Sequence, residues 1–166
     1  MTIYATADSH FGHANIMAAC QRPFASLDEM NETMVAKWNA TVAPEDTVWH
    51  LGDFAWNAGS EQVFYRLNGH KHLIIGNHDS KRVLALPWLS QQPYHELTTI
   101  EDGAKVHWVL FHYPIESWNR RHHGSIHLHG HDHGRTKRMA NRADVGVDCN
   151  FFRPISLTEI KTQLAV

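Results

Sequence analysis

The sequence predicts an α/β fold, because short apolar runs alternate with amphipathic stretches along the chain. Clusters of polar residues come directly after the apolar runs, where an α/β sheet presents its ligands. The pair Asp102-Gly103 between two apolar runs is typical of a β-hairpin turn. With 166 residues and no linker or repeat, the chain is expected to form one domain over residues 1–166.

Strand and helix patterns alternate through the first half of the chain. The helix predicted over residues 27–41 is the clearest, because Met30, Met34 and Trp38 fall at helical spacing. Ser26 is placed as its N-cap, and Glu29 completes a capping box. The other elements predicted here are strands over residues 2–7, 47–51 and 72–75 and helices over residues 13–20 and 60–67.

The second half of the chain predicts mainly strands. The apolar runs indicate strands over residues 94–100, 105–111, 126–128 and 143–148. Ser156 is placed as the cap of a closing helix that reaches residue 164. We therefore expect an alternating α/β part followed by a β-rich part.

The composition argues against several classes of function. A formal net charge of −2 gives no strong overall attraction to nucleic acid or to an anionic membrane. No apolar run approaches the ~20 residues that span a bilayer, and the start of the chain lacks a secretory pattern. Two cysteines outside any CxxC pattern predict reduced thiols and a cytoplasmic location. The 15 histidines instead point to metal binding.

Five clusters of potential metal ligands occur in order. They are Asp8-Ser9-His10, Gly52-Asp53, Gly76-Asn77-His78-Asp79, His112 and Gly130-His131-Asp132-His133. This order resembles the DxH, GD, GNH[DE], H and GHxH pattern of the calcineurin-like metallophosphoesterases, and the resemblance runs from Asp8 to His133. It implies that family's fold, a four-layer α/β/β/α sandwich of two mixed β-sheets with the metals at one end.

The residue types suit divalent cations. Alternate residues of an extended segment share a face, so Asp8 and His10 are expected to grip one cation, and His131 and His133 repeat the same spacing. Gly130 is expected to give the backbone room to turn. Nitrogen and oxygen ligands without thiolate fit Mn²⁺, which we expect, with Fe, Zn²⁺ or Ni²⁺ as alternatives.

The resemblance also implies a role for each residue. One metal would be held by Asp8, His10, Asp53 and His133, and the second by Asp53, Asn77, His112 and His131. Asp53 would bridge the two metals, which would generate a bridging hydroxide that attacks phosphorus. His78 would act as a general acid or stabilise the transition state.

One position departs from the family pattern. Related protein Ser/Thr phosphatases carry GDxxDRG, whose second Asp orients the catalytic histidine, whereas Trp56 occupies that position here. The departure argues against a phosphoprotein phosphatase and leaves the residue that orients His78 unidentified. Asp79 is adjacent to His78 but is expected to face elsewhere.

Three residues are candidates for substrate contact. Arg22 offers a guanidinium for phosphate, with a helix-end salt bridge as the alternative. Asn15 follows the first motif, and Trp118 could form a wall for a base or other leaving group. His127 and His129, which alternate on the strand before Gly130, are expected either to line the site or to face solvent.

These observations predict a metal-dependent phosphoric ester hydrolase. The favoured substrates are phosphodiesters of small or nucleotide compounds, and phosphomonoesters are the alternative substrates for the same kind of enzyme. A DNA or RNA nuclease is the first alternative, although a nuclease should have a long basic channel and this chain offers only a basic patch around residues 135–142. A non-catalytic metal-binding scaffold is the second, and the complete ligand set argues against it. The physiological substrate and the oligomeric state are not readable from the sequence.

Overall fold

The computed structural model describes residues 1–101 and 103–164. Within them the strands are β1 Ile3–Thr6, β2 Thr47–His50, β3 His70–Ile74, β4 Gln91–Gln92, β5 Tyr94–Glu101, β6 Ala104–Phe111, β7 Ile126–His129, β8 Arg142–Asp144 and β9 Ile155–Ser156. The α-helices are α1 Ala14–Ala19, α2 Leu27–Thr41, α3 Lys81–Leu84 and α4 Leu157–Leu164. Short 3₁₀ helices cover Ser60–Arg66, Arg121–His123 and Val147–Cys149.

Two mixed sheets organise these strands. The first has the order β4-β3-β2-β1-β9, in which only β9 runs antiparallel to its neighbour. The second has the order β5-β6-β7-β8, in which only the β5–β6 pair is antiparallel. The predicted α/β class with two mixed sheets is confirmed.

The sheets carry two apolar cores. Along β2 the side chains alternate, so that Val48 joins a core shared with helix α2 while Trp49 joins a core between the two sheets. Trp108 and Leu128 enter that second core from the other sheet. The first sheet is thus covered by helices on one face and by the second sheet on the other.

Helix α2 spans the predicted residues, and its predicted N-cap is confirmed. The Ser26 hydroxyl accepts a hydrogen bond from the Glu29 amide at 3.1 Å. The Glu29 carboxylate accepts one from the Ala25 amide at 2.6 Å. The Ser26 hydroxyl thus occupies an amide donor that a helix start leaves without an intrahelical partner, whereas the Glu29 carboxylate binds the amide before the N-cap and not that of Ser26.

Two predicted elements differ from the structure. The segment predicted as a helix over residues 60–67 is a 3₁₀ helix, Ser60–Arg66. The strand predicted over residues 143–148 is wrong beyond Asp144, because the Asp144 carboxylate accepts from the Gly146 amide at 2.8 Å and turns the chain out of the sheet. Of the predicted hairpin turn, Asp102 lies outside the described residues, while the flanking strands β5 and β6 are antiparallel as expected.

Two further findings bear on the composition. Cys20 and Cys149 are free thiols, as predicted, and Cys149 is exposed. None of the helices in residues 1–101 and 103–164 is long and apolar enough to cross a membrane.

Candidate metal centre

The seven predicted ligands lie on loops that leave the carboxyl ends of strands. Asp8 and His10 follow β1, Asp53 follows β2 and Asn77 follows β3, all in the first sheet. From the second sheet, His112 follows β6, and His131 and His133 follow β7. A bridge between Ala7 and Gly146 joins the chain beyond β1 to the chain beyond β8. Both sheets therefore deliver their ligand loops to one place.

A first set of ligand atoms comes from Asp8, His10 and His133. Each offers one atom that lies within 4.8 Å of the others. In the described structure, Asp8 Oδ1 and both ring nitrogens of His10 are buried without a hydrogen-bond partner. Buried polar atoms without partners are costly, and a cation bound by Asp8 Oδ1 and one ring nitrogen of His10 would satisfy two of the three. The first set therefore fits a metal ion.

Asp53 lies between the two sets. Its Oδ2 is 3.6 Å from His10 Nε2 and 3.7 Å from His112 Nε2. Its Oδ1 accepts a hydrogen bond from the His78 amide at 2.9 Å, which fixes the carboxylate. One oxygen of a buried carboxylate thus faces imidazoles of both sets, as a bridging ligand requires.

A second set is formed by Asn77, His112 and His131. The Asn77 Oδ1 atom lies 2.9 Å from His112 Nε2 and 3.1 Å from His131 Nδ1. His112 Nδ1 lies 2.7 Å from the Leu51 carbonyl oxygen, to which it donates. That bond selects the tautomer whose Nε2 is free to bind a metal. The set offers two nitrogens and one oxygen, a donor set that suits a divalent cation.

His133 is oriented in the same manner by Asp148, a residue that the sequence did not single out. His133 Nδ1 lies 2.7 Å from Asp148 Oδ2, so its Nε2 is left for the first set. A histidine ligand held by a carboxylate is a recurrent device in metal sites. Asp148 lies 15 residues beyond His133 and outside the five motifs, so no motif could have identified it.

The Arg22 side chain is buried among protein atoms behind the first ligand set and does not face a substrate. Its Nε and Nη2 contact Asp148 at 2.8 Å each, and its Nη2 and Nη1 donate to the carbonyls of Asp8 and Ser9 at 2.7 and 3.0 Å. The guanidinium is fully buried. The structure therefore gives Arg22 a supporting role, since protein atoms already occupy the donors predicted for phosphate.

Burial shapes the charges of the first set. It raises the pKa of Asp8 well above its usual value, and the nearby carboxylates of Asp144 and Asp53 add to the effect. Burial also lowers the pKa of His10 to about 2, helped by His133 and Arg22. A neutral imidazole beside crowded carboxylates is ready to bind a cation, whose charge would relieve the repulsion.

The local backbone differs from the predicted one. Asp8, His10 and Asp53 have φ angles of 55°, 49° and 60°, and His131 and His133 have 74° and 51°. These left-handed conformations are uncommon for residues with a Cβ atom, and they cluster at functional sites. The expectation that alternate residues of an extended segment share a face is therefore wrong at both motifs. Strands β1 and β7 end before the ligands.

Gly130 is needed for close approach and not, as predicted, for a turn. A Cβ atom at this position would lie 2.5 Å from Asp8 Oδ2 and 2.5 Å from the Ala7 Cβ atom. The backbone of the second sheet therefore contacts the Asp8 carboxylate directly. The His131 amide donates to the same Oδ2 at 2.9 Å.

His78 and Asp79 face different parts of the centre. The His78 ring is exposed, and its centroid lies 4.8 Å from Trp56 and 6.0 Å from His10. The Asp79 carboxylate accepts from the amides of Asp53, Phe54 and Gly76 at 2.8–3.1 Å. Asp79 thus ties two ligand loops together and faces away from the His78 ring, as expected.

The remaining residues that were predicted to contact substrate or line the site do not lie together. Asn15 is exposed in the first turn of α1. Trp118 is only 8% exposed, because it packs against His127 and donates to Ser125, so its indole is part of the packing of the second sheet. His127 and His129 are buried, so of their two predicted positions the one facing solvent is wrong.

Comparison with known proteins places the chain among relatives of similar length. It is 30% identical to the protein MJ1445 of Methanocaldococcus jannaschii over 168 residues, which cover 93% of this chain and 86% of that one. It is also 30% identical to the gene 66 protein of Mycobacterium phage D29 over 177 residues, covering 88% and 87% of the two chains. No family model matches the chain.

One solved structure shows the same fold over nearly its whole length. A protein of unknown function from Aquifex aeolicus, AQ665, aligns with a TM-score of 0.75 at 23% identity over 98% of both chains. A novel archaeal phosphodiesterase aligns with a TM-score of 0.48 at 17% identity, covering 88% of this chain and 82% of that one.

Proposed function

We propose that this chain, which belongs to one family with MJ1445, is a calcineurin-like metallophosphoesterase that hydrolyses phosphate esters at a centre of two divalent metal ions. The observation that carries the proposal is the position of Asp53 Oδ2, 3.6 Å from His10 Nε2 and 3.7 Å from His112 Nε2. A single carboxylate between two ligand sets is the arrangement that a two-metal site requires.

The chain's residues would hold the metals in two groups. Asp8, His10, His133 and Asp53 form the first group, and Asp53, Asn77, His112 and His131 form the second. When bound, the two ions would stabilise charge on the phosphoryl oxygens and lower the pKa of a bound water. Mn²⁺ is our first choice, because the donor set is nitrogen and oxygen with no thiolate among the proposed ligands.

His78 is proposed to act on the leaving oxygen. Its ring is exposed near the first set, 6.0 Å from the His10 ring, while its amide is held by Asp53. From this position the imidazolium would donate a proton to the oxygen that departs from phosphorus, or a hydrogen bond in the transition state. A protein nucleophile is not needed in this scheme.

We favour phosphodiesters of small or nucleotide substrates over nucleic acid. The basic patch beyond the last motif is partly occupied by the protein itself. Arg142 is buried and donates to the carbonyls of Ile115 and Lys137, and Arg135 donates to the carbonyl of Ala19. A nuclease would use such residues for the phosphate backbone.

A non-catalytic metal-binding protein is the less supported alternative. A scaffold would require the metals for stability alone and would give no reason for an exposed His78 beside the first set. The exposed ring instead suits a group that meets substrate.

The test is metal-dependent hydrolysis of bis(p-nitrophenyl) phosphate. Protein stripped with EDTA should be inactive, and Mn²⁺ should restore p-nitrophenolate release with about two ions bound per chain by elemental analysis. Asp53→Asn, which leaves the side-chain volume unchanged, should abolish turnover. Absence of turnover with Mn²⁺, Fe²⁺, Zn²⁺ and Ni²⁺, together with absence of bound metal, would contradict the proposal.

A further inference from the structure

Two exposed aromatic rings lie beside the candidate metal centre, one at each ligand set. Trp56 is 40% exposed and Tyr113 is 36% exposed. Isolated exposed aromatic residues are ordinary on protein surfaces. Here, however, each ring contacts a different part of the centre, and both are held in place by the residues around them.

Trp56 lies on the His78 side of the first set. Its ring centroid is 4.8 Å from that of His78 and 6.4 Å from that of His10. One of its faces is stacked on His13 at 4.0 Å, with an angle of 5° between the rings. Its amide donates to the Phe11 carbonyl at 2.9 Å, so the backbone is also fixed.

Tyr113 lies beside the second set. Its ring centroid is 4.7 Å from that of His131 and 5.0 Å from that of His112. Its carbonyl oxygen lies 3.1 Å from Nε2 of His127, a residue that is fully buried under this loop. The backbone that carries the phenol ring is thus anchored to the second sheet, and the ring packs against two imidazoles, which reduces the entropy that binding costs.

We propose that the substrate is a phosphodiester in which both ester arms carry a planar aromatic ring, one received by Trp56 and the other by Tyr113. The inference rests on the proposed function, because it takes the phosphorus atom to lie at the metals. A phosphomonoester has one arm and would leave one of the two rings without a partner. Two aromatic walls, one beside each set, match the two arms of a diester.

The proposal assigns a ring to each arm. His78 acts on the leaving oxygen and contacts Trp56, so the leaving arm lies against Trp56. The arm that stays on phosphorus lies against Tyr113, beside His131 and His112. Stacking of a planar group on an aromatic side chain is worth about tenfold or more in affinity.

The experiment compares two diesters with the same leaving group. Bis(p-nitrophenyl) phosphate has a ring on both arms, whereas methyl p-nitrophenyl phosphate has a ring on the leaving arm only. With Mn²⁺-loaded protein, kcat/KM should be about tenfold higher for the first. Tyr113→Ala should lower kcat/KM about tenfold more for the bis-aryl ester than for the methyl ester, because only the bis-aryl ester has a ring on the retained arm. Trp56→Ala should lower the value for both esters.

Matched variants separate the rings from general damage. Tyr113→Phe and Trp56→Phe keep a ring and should retain most of the activity. Tyr65→Ala removes a tyrosine that is 65% exposed in the 3₁₀ helix Ser60–Arg66 and should change neither ester. Thermal unfolding of each variant checks that the fold is intact.

The outcomes are distinguishable. If both esters are hydrolysed at equal kcat/KM, or if Tyr113→Ala lowers both equally, the two-ring inference is wrong although the hydrolase proposal stands. If neither ester is hydrolysed with any metal, the proposed function itself fails. A dinucleoside monophosphate, compared with the methyl ester of one nucleotide, shows whether the rings are nucleobases: a tenfold preference assigns nucleobases, and equal rates with a retained aryl preference assign smaller aryl groups.

Discussion

The Arg22 guanidinium forms a bidentate ion pair with the Asp148 carboxylate, with Nε–Oδ1 and Nη2–Oδ2 distances of 2.8 Å. The same guanidinium donates to the carbonyls of Asp8 and Ser9, while Asp148 contacts His133. One buried cation therefore connects the first ligand loop to the last. The planar guanidinium has five N–H donors and can make all of these contacts at once, which the ammonium group of a lysine could not.

Arg22→Ala is expected to destabilise the metal-free protein by about 3–5 kcal/mol, because it leaves the Asp148 carboxylate partly buried without its cation. Urea unfolding with EDTA measures the loss. The control is Arg66→Ala, which breaks an exposed pair with Glu32 and should cost far less stability, because solvent screens that pair. Equal losses of unfolding free energy in the two variants would show that the buried ion pair contributes no more stability than an exposed one.

Asp148→Asn is expected to weaken metal binding by roughly 10–100-fold, because it removes the carboxylate that orients His133. Titration calorimetry with Mn²⁺ measures the change, which should be confined to one of two binding events. Glu159→Gln, which alters an outlying pair with Arg153, serves as the control and should leave both events unchanged. An unchanged affinity in Asp148→Asn would rule out the orienting role.

Sequence patterns were sufficient for the two mixed sheets and for the list of side chains that the structure brings together at one place. Helix α2 was predictable because its apolar spacing and its cap at Ser26 are local properties. The short strands β4 and β9 have two residues each, too few to show a period. The clustering of these side chains was predictable because each motif keeps its residue types in order, whatever the backbone does between them.

The supporting residues were not predictable in the same way. Asp148 acts through contacts with Arg22, 126 residues away, and a contact of that separation leaves no local pattern. The left-handed backbone at Asp8 and His10 depends on pairing with the loop after β2, since the His10 amide donates to the Asp53 carbonyl at 3.0 Å. Tyr113, for which we propose a substrate contact, had a local clue in the sequence, because it directly follows His112.

His78→Ala is expected to lower kcat by roughly 10²–10⁴-fold while the metal content stays unchanged. The ring is exposed and is not among the proposed ligands, and only its amide binds Asp53. Steady-state hydrolysis measures the loss of kcat, and elemental analysis of the same sample measures the metal content. His131→Ala is the contrasting variant, which should lose metal as well as rate. Loss of metal from His78→Ala would make His78 a ligand and the role given to it wrong.

Gly130→Ala is expected to disturb the first ligand set and to cost about 1–3 kcal/mol of stability, because the new methyl group overlaps Asp8 Oδ2 and the Ala7 side chain. The unfolding temperature measured by calorimetry and the affinity for Mn²⁺ should both fall. Gly124→Ala, with φ of +81° but no atom within 4 Å of the added Cβ, isolates the backbone cost and should keep its metal affinity. If Gly130→Ala bound metal normally, the close approach would not matter for the site.

His50 should make the protein acid-sensitive. Its ring is fully buried and its Nε2 lies 2.7 Å from the Ser9 hydroxyl, and burial lowers its pKa from 6.5 to about 3. Below pH 6.5 the unfolded chain binds a proton that the folded protein refuses, so stability falls as the pH drops towards 3, by about 1.4 kcal/mol per pH unit. His50→Gln removes this proton, so the free energy of unfolding should depend less steeply on pH by that amount. The exposed His70→Gln should keep the wild-type slope, and identical slopes for wild type and His50→Gln would contradict the prediction.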